Sequence, residues 1–159
     1  MIMKTLDFIK LDQSGVNDTI KSLDLLLADL QVYYTNLRNF HWNIQGKRFF
    51  QLHDKFEEMY DGVADKIDEV AERILMLGGV PENKFSEYLK VARVKEVAPV
   101  SDCKDAIKNI LDTLGHLITE ERKIFVAAGE MDDEVTAAQM SDYMAEQEKQ
   151  VWMFTATLK

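Results

Sequence analysis

The segment from Phe49 to Gly79 restricts what this chain can become more than any other. His53, Glu57, Asp68 and Glu72 recur there along what the apolar spacing reads as one long helix. At about 100° per residue, with His53 at zero, Glu57 falls at about 40°, Asp68 at about 60° and Glu72 at about 100°. Four metal-competent side chains therefore share one face. Leu52, Phe56, Met59, Val63, Ile67, Val70, Ile74 and Leu77 centre at about −80°, so the acidic and imidazole groups point away from the face the helix buries. Along the axis, about 1.5 Å of rise per residue puts His53 and Asp68 about 22 Å apart, too far for one metal ion to join them. One copy of the helix cannot close such a site. Two copies packed antiparallel about a two-fold axis bring the His53/Glu57 end of one to the Asp68/Glu72 end of the other, and symmetry makes the second site. The four positions mirror about Gly62 and Val63, where a glycine admits close helix approach. The plainer alternative is a solvated face of an amphipathic helix, which is how any single i, i+4 pair in it would read.

Composition bears on the choice. The chain has 28 acidic and 19 basic residues, a formal charge of −9, which draws cations and repels nucleic acid. With 159 residues, 47% of them hydrophobic, one domain spanning 1–159 has material for a core. Met1 to Asp12 lacks the unbroken apolar run of a signal peptide, and no later segment has the length of a membrane span. The expectation is a soluble, cytoplasmic protein without membrane association. Cys103 is the single cysteine and offers neither a disulfide nor a thiolate metal pattern.

Two prolines, seven glycines and helical apolar spacing almost throughout make the chain all-α. The first long helix starts near Ser14 to Asn17, which offer capping side chains, and runs to about Asn43 with Ile20, Leu23, Leu27, Leu30, Tyr34 and Leu37 on one stripe. Gly46 marks the turn after it. The second runs from about Phe49 to Gly78-Gly79, with Pro81 just beyond. Pro81 to Pro99 is a long crossover with a short helix over Phe85 to Ala92. The third begins at the caps Ser101 and Asp102 and reaches about Ala128. The fourth follows the acidic cluster Glu130, Asp132, Asp133 and Glu134, and carries Met140, Tyr143, Met144, Gln147, Val151 and Phe154. On residue type alone, Asp132 to Glu134 is a solvated helix start.

His41, at the end of the first long helix, continues the stripe Leu30, Tyr34, Leu37. It reads either as a core histidine hydrogen-bonded within the bundle or as a ligand. Its separation from His53, across the turn at Gly46, allows both imidazoles to approach one point. Two imidazoles and three carboxylates without a thiolate suit Fe(II), Zn(II) or Mn(II), and carboxylate richness favours passing oxidised Fe(III) to oxygen ligands. The Glu-x-x-His spacing that di-iron carboxylate proteins of four-helix form carry inside the bundle is missing at His41, His53 and His116. His116 reads as a hydrogen-bonded bundle residue.

In the runs His41-Trp42-Asn43, His53 with Glu57, Asp68-Glu69-Val70-Ala71-Glu72-Arg73 and Leu77-Gly78-Gly79, the chain resembles the Dps family of miniferritins over nearly its whole length. The resemblance implies a ferritin-like four-helix bundle, a hollow homododecamer with metal sites at two-fold dimer interfaces, and a ferroxidase. Such an enzyme oxidises Fe(II), with hydrogen peroxide or oxygen, and stores Fe(III) mineral, which protects against oxidative stress. Carried over by motif, His41, His53, Asp68 and Glu72 are catalytic metal ligands, and Glu57 stands where the family usually has aspartate, keeping a carboxylate on a longer arm. Trp42 matches a tryptophan near the family's ferroxidase centre; on bare sequence it is a helix-end core aromatic. Glu134 matches an aspartate of the family's iron pores, while Ala138 replaces another. Many Dps proteins bind DNA through a lysine-rich tail, but here Lys4 and Lys10 sit amid Asp7 and Asp12, so direct DNA binding is expected to be weak or absent. The competing readings are a noncatalytic cage or interaction protein, and a DNA-compacting Dps with little iron role.

Overall fold

A computed structural model describes residues 4–159, and among them all regular secondary structure is helical. In chain order the helices are α1 (Thr5–Ile9), α2 (Gln13–Asn43), α3 (Phe49–Met76), α4 (Phe85–Val91), α5 (Cys103–Gly129) and α6 (Glu134–Thr157). The four long ones form a bundle in which α2 lies along α3, α5 lies along α6, and α2 also packs on α5. Its core is the expected apolar stripes, with Leu23, Leu27, Leu30 and Leu37 of α2 meeting Phe56, Val70 and Ile74 of α3 and Ile107, Ile110, Leu114 and Leu117 of α5.

The first long helix starts earlier than the sequence reading placed it. Asp12, not the Ser14 to Asn17 group, is the N-cap, and its carboxylate accepts from the Ser14 backbone N–H at 3.1 Å. The short α1 was not anticipated. Lys10 ends it in the left-handed region, with φ 64°, and turns the chain into α2. Its buried Leu6 packs beside Gly78, which ends α3 at φ 84° with its N–H bonded back to Leu75.

The crossover explains three polar residues on α2 that the apolar pattern left unassigned. Asp29, fully buried, accepts from the backbone N–H groups of Arg93 and Val94 at 2.6 and 3.0 Å. Asn36 donates to Lys95 O and accepts from Val97 N, and Asn39 donates to the Val97 and Ala98 carbonyls. The segment thus satisfies its backbone on side chains rather than on a ladder. It climbs along α2 toward that helix's C-terminal end, where Gln45 N bonds Ser101 O at 3.0 Å. So α5 starts beside the start of α3, and the two run in the same direction. Asp29 also bonds His116 at 2.7 Å, so His116 is the hydrogen-bonded bundle residue expected.

Asp133 corrects another expectation. It is not a solvated helix start: buried to 1% exposure, it caps α6 and holds the Arg73 guanidinium of α3 at 2.6 Å. Thr136 completes the triad, accepting from Arg73 Nε and donating to Asp133 Oδ2.

Candidate metal centre

The turn between α2 and α3 brings two imidazoles together. Gly46, at φ 105°, accepts from Phe49 N and reverses the chain within a few residues, so the last turn of α2 faces the first turns of α3. His41 Nδ1 lies 2.7 Å from His53 O, and His53 Nδ1 lies 2.8 Å from His41 O. A carbonyl only accepts, so in each neutral ring the proton sits on Nδ1 and the Nε2 lone pair is left free. Reciprocal bonds therefore fix both tautomers and both ring orientations. The rings stack at 3.7 Å and 18°, with Phe49 stacked on His53 at 5.0 Å and Tyr60 edge-on to His41 at 5.3 Å.

Glu57, one turn after His53, brings its carboxylate to 4.0 Å from His41 Nε2. One ligand atom from each of His41, His53 and Glu57 fits within 4.8 Å, the one such group among the described residues. His41 is buried, His53 half-buried, and the Glu57 side chain 51% exposed, so the cluster opens outward. A metal ion would find two imidazole nitrogens and a carboxylate, a borderline donor set suited to Fe(II) or Zn(II). The pairing of each Nδ1–H with a carbonyl is the outer support that such ligands have in metal sites.

Asp68 and Glu72 do not join this cluster. They are exposed farther along α3, at the distance its rise dictates, and within one chain three of the five sequence candidates meet. Gly62 does not favour close approach on that face as the sequence argument had it. A Cβ there would point to Glu146 and Lys66 of the same chain, because Gly62 lies half a turn away from the His53 side. Trp42 is not a core aromatic: it is 63% exposed, with the Arg38 guanidinium 4.6 Å from its ring. Phe49 and Tyr60, which frame the imidazoles, were missed. Their spacings of four from His53 and three from Glu57 were the available signal.

A four-helix bundle with its crossover between the second and third long helices, carrying paired imidazoles and a carboxylate, defines the ferritin-like class of protein, and the ferritin-like domain model matches residues 20–159. Within that class the chain belongs to the Dps family. It is 54% identical over 153 residues to the DNA protection during starvation protein of Porphyromonas gingivalis, covering 96% of each chain. It is 40% identical to the protein of the same name from Helicobacter pylori, over 88% of this chain and 98% of that one. The crystal structure of the Dps protein from Vibrio cholerae O1, described as a member of a broad superfamily of ferritin-like diiron-carboxylate proteins, superposes with a TM-score of 0.92 at 48% identity over 94% of each chain.

Proposed function

We propose that the whole chain, 1–159, is one ferritin-like domain of a ferroxidase and iron-storage miniferritin that acts in the cytoplasm. Each centre is built from His41, His53 and Glu57 of one subunit with Asp68 and Glu72 of the partner subunit. The observation that carries this reading is the pair of imidazoles held by reciprocal Nδ1 bonds, with both Nε2 lone pairs and Glu57 converging on one opening. Among the described residues the Asp68/Glu72 end of the same helix face gathers no further ligand group, and a two-fold axis would supply one. Fe(II) is the substrate. Two Fe(II) ions each lose one electron, the O–O bond of hydrogen peroxide breaks, and two hydroxides form; oxygen is the alternative oxidant. The carboxylates stabilise the harder Fe(III) and pass it to mineral inside a hollow dodecamer. Any protection of DNA then comes from removing iron and peroxide, since the acidic surface gives phosphates few partners.

The test mixes two inactive parents. His53→Ala and Asp68→Ala should each abolish rapid peroxide-driven Fe(II) oxidation, followed by ultraviolet absorbance after anaerobic iron loading. Random co-assembly gives each site independent halves, so about a quarter of the sites become whole and activity returns. A mixture as inactive as its parents, in verified mixed dimers, refutes the shared centre. Wild-type protein that oxidises Fe(II) no faster than protein-free buffer favours instead the noncatalytic cage.

A further inference from the structure

The two imidazoles of the candidate centre are not equally supported. His41 is buried at the end of α2, with the edge of Tyr60 against it at 5.3 Å, whereas His53 is half-buried on the outward side of the cluster. The bond from His53 Nδ1 to the His41 carbonyl, 2.8 Å long, sets which edge of the ring faces the opening. It leaves the tilt of the ring plane to whatever lies on the ring's two faces, because the last torsion of a histidine side chain has only a broad preference of its own. A tilt about Nδ1 swings Nε2, the atom left free for a metal ion.

Both faces of His53 are covered by rings. His41 stacks on it at 3.7 Å and 18°, and Phe49 at 5.0 Å and 23°. An imidazole face has room for one parallel ring, so the two stand on opposite sides and clamp His53 between them. His41 is the fixed inner jaw. Phe49 is the outer one, and it is itself held: it opens α3, its N–H bonds Gly46 O at 3.1 Å, its ring packs against the core, and Phe50 meets it edge-on at 5.4 Å. Phe49 lies one helical turn before His53, and helical side chains lean toward the N-terminus, so the imidazole lies back onto the phenyl ring.

We propose that Phe49 is a positioning residue of the metal centre: its ring covers the outer face of the His53 imidazole, fixes the plane in which Nε2 meets the ion, and so sets how tightly the centre takes a divalent metal. This inference rests on the centre proposed above. Phe49 offers no donor atom to the ion and acts only through His53. A flat ring is the required feature, since an aliphatic side chain of similar bulk fills the space without defining a plane.

Co²⁺ tests this on the assembled protein without oxygen, because it accepts imidazole and carboxylate donors and its visible absorption reports the number and geometry of its ligands. Wild-type protein should bind Co²⁺ with absorption bands that His53→Ala lacks. Phe49→Leu should bind it about three- to tenfold more weakly, with altered bands, and Phe49→Tyr should restore both affinity and bands. If Phe49→Leu does not assemble, Phe49→Met takes its place with the same expected loss. Wild-type affinity and bands in an assembled Leu or Met variant overturn the inference while leaving the centre intact, and a Phe49→Tyr protein as weak as these overturns it too. Equal Co²⁺ binding by wild type and His53→Ala removes the centre itself, and this inference with it.

Discussion

Glu121 is an ionisable side chain set in the bundle interior. It is fully buried, and loss of solvation raises its carboxyl from 4.5 to about 7 despite the Gln147 hydrogen bond and the Lys66 charge. Between those values the folded chain holds a proton that the unfolded chain has released. Stability from this group is therefore fully present below 4.5 and lost as pH rises through about 7, a change on the order of 3 kcal/mol. Glu121→Gln, which cannot ionise, should flatten that fall, so that the variant gains on the wild type between about pH 5 and about pH 8. Thermal unfolding midpoints across that range check it, and parallel curves for the two proteins would contradict the raised carboxyl. Arg73 depends on an ion pair, since its partner Asp133 is buried at the end of another helix. Arg73→Met should destabilise by about 3–5 kcal/mol, because it strands the Asp133 carboxylate, and Asp133→Asn in the same chain should recover part of the loss. Denaturant midpoints decide between that and a purely additive pair.

At the scale of elements, the crossover is the part most dependent on a few contacts. Residues 93–100 have no helix or ladder of their own and hang on Asp29, Asn36 and Asn39 of α2. Asp29 alone serves two backbone amides, the Arg93 guanidinium and His116. Asp29→Ala should accordingly speed hydrogen exchange at the Arg93 and Val94 amides by about tenfold or more, with much smaller changes in α6. Equal protection before and after the substitution would mean that neighbouring packing, not this carboxylate, holds the segment. The α2–α3 turn is a different case. Gly46 sets the reversal and the two histidines lock it, so the candidate metal centre also clasps the hairpin.

For the whole molecule, the property that matters is the acidic end of the α3 face, which stands exposed and apart from the histidine cluster. Exposed Asp68 and Glu72 on α3, together with the large apolar side chains Phe50, Val80 and Phe85 left exposed on or near α3 and α4, motivate a closed assembly. Light scattering should give a mass about twelve times the 18.3 kDa of one chain, and a stable monomer in dilute neutral buffer would refute it. Duplex DNA should not shift at neutral pH and moderate salt, given the −9 formal charge. A salt-sensitive mobility shift would show instead a basic surface strong enough to overcome that charge.

Periodicity in the sequence determined the four long helices and their buried stripes, because burial of one face is written locally every three or four residues. The same arithmetic placed His53 and Glu57 together and kept Asp68 away from them. Tertiary structure alone decided the rest. His41 is a core-stripe residue and a converging imidazole at once, since its Nδ1 finds a carbonyl only when α2 and α3 pack side by side. Asp133 looked solvated until Arg73, sixty positions earlier, was brought against it. Trp42 looked buried until the fold turned it outward, and Gly62 faced the neighbouring α6 rather than the ligand side. Polar side chains find their partners through contacts remote in sequence, which no local pattern encodes, whereas apolar faces need only a side on which to be buried.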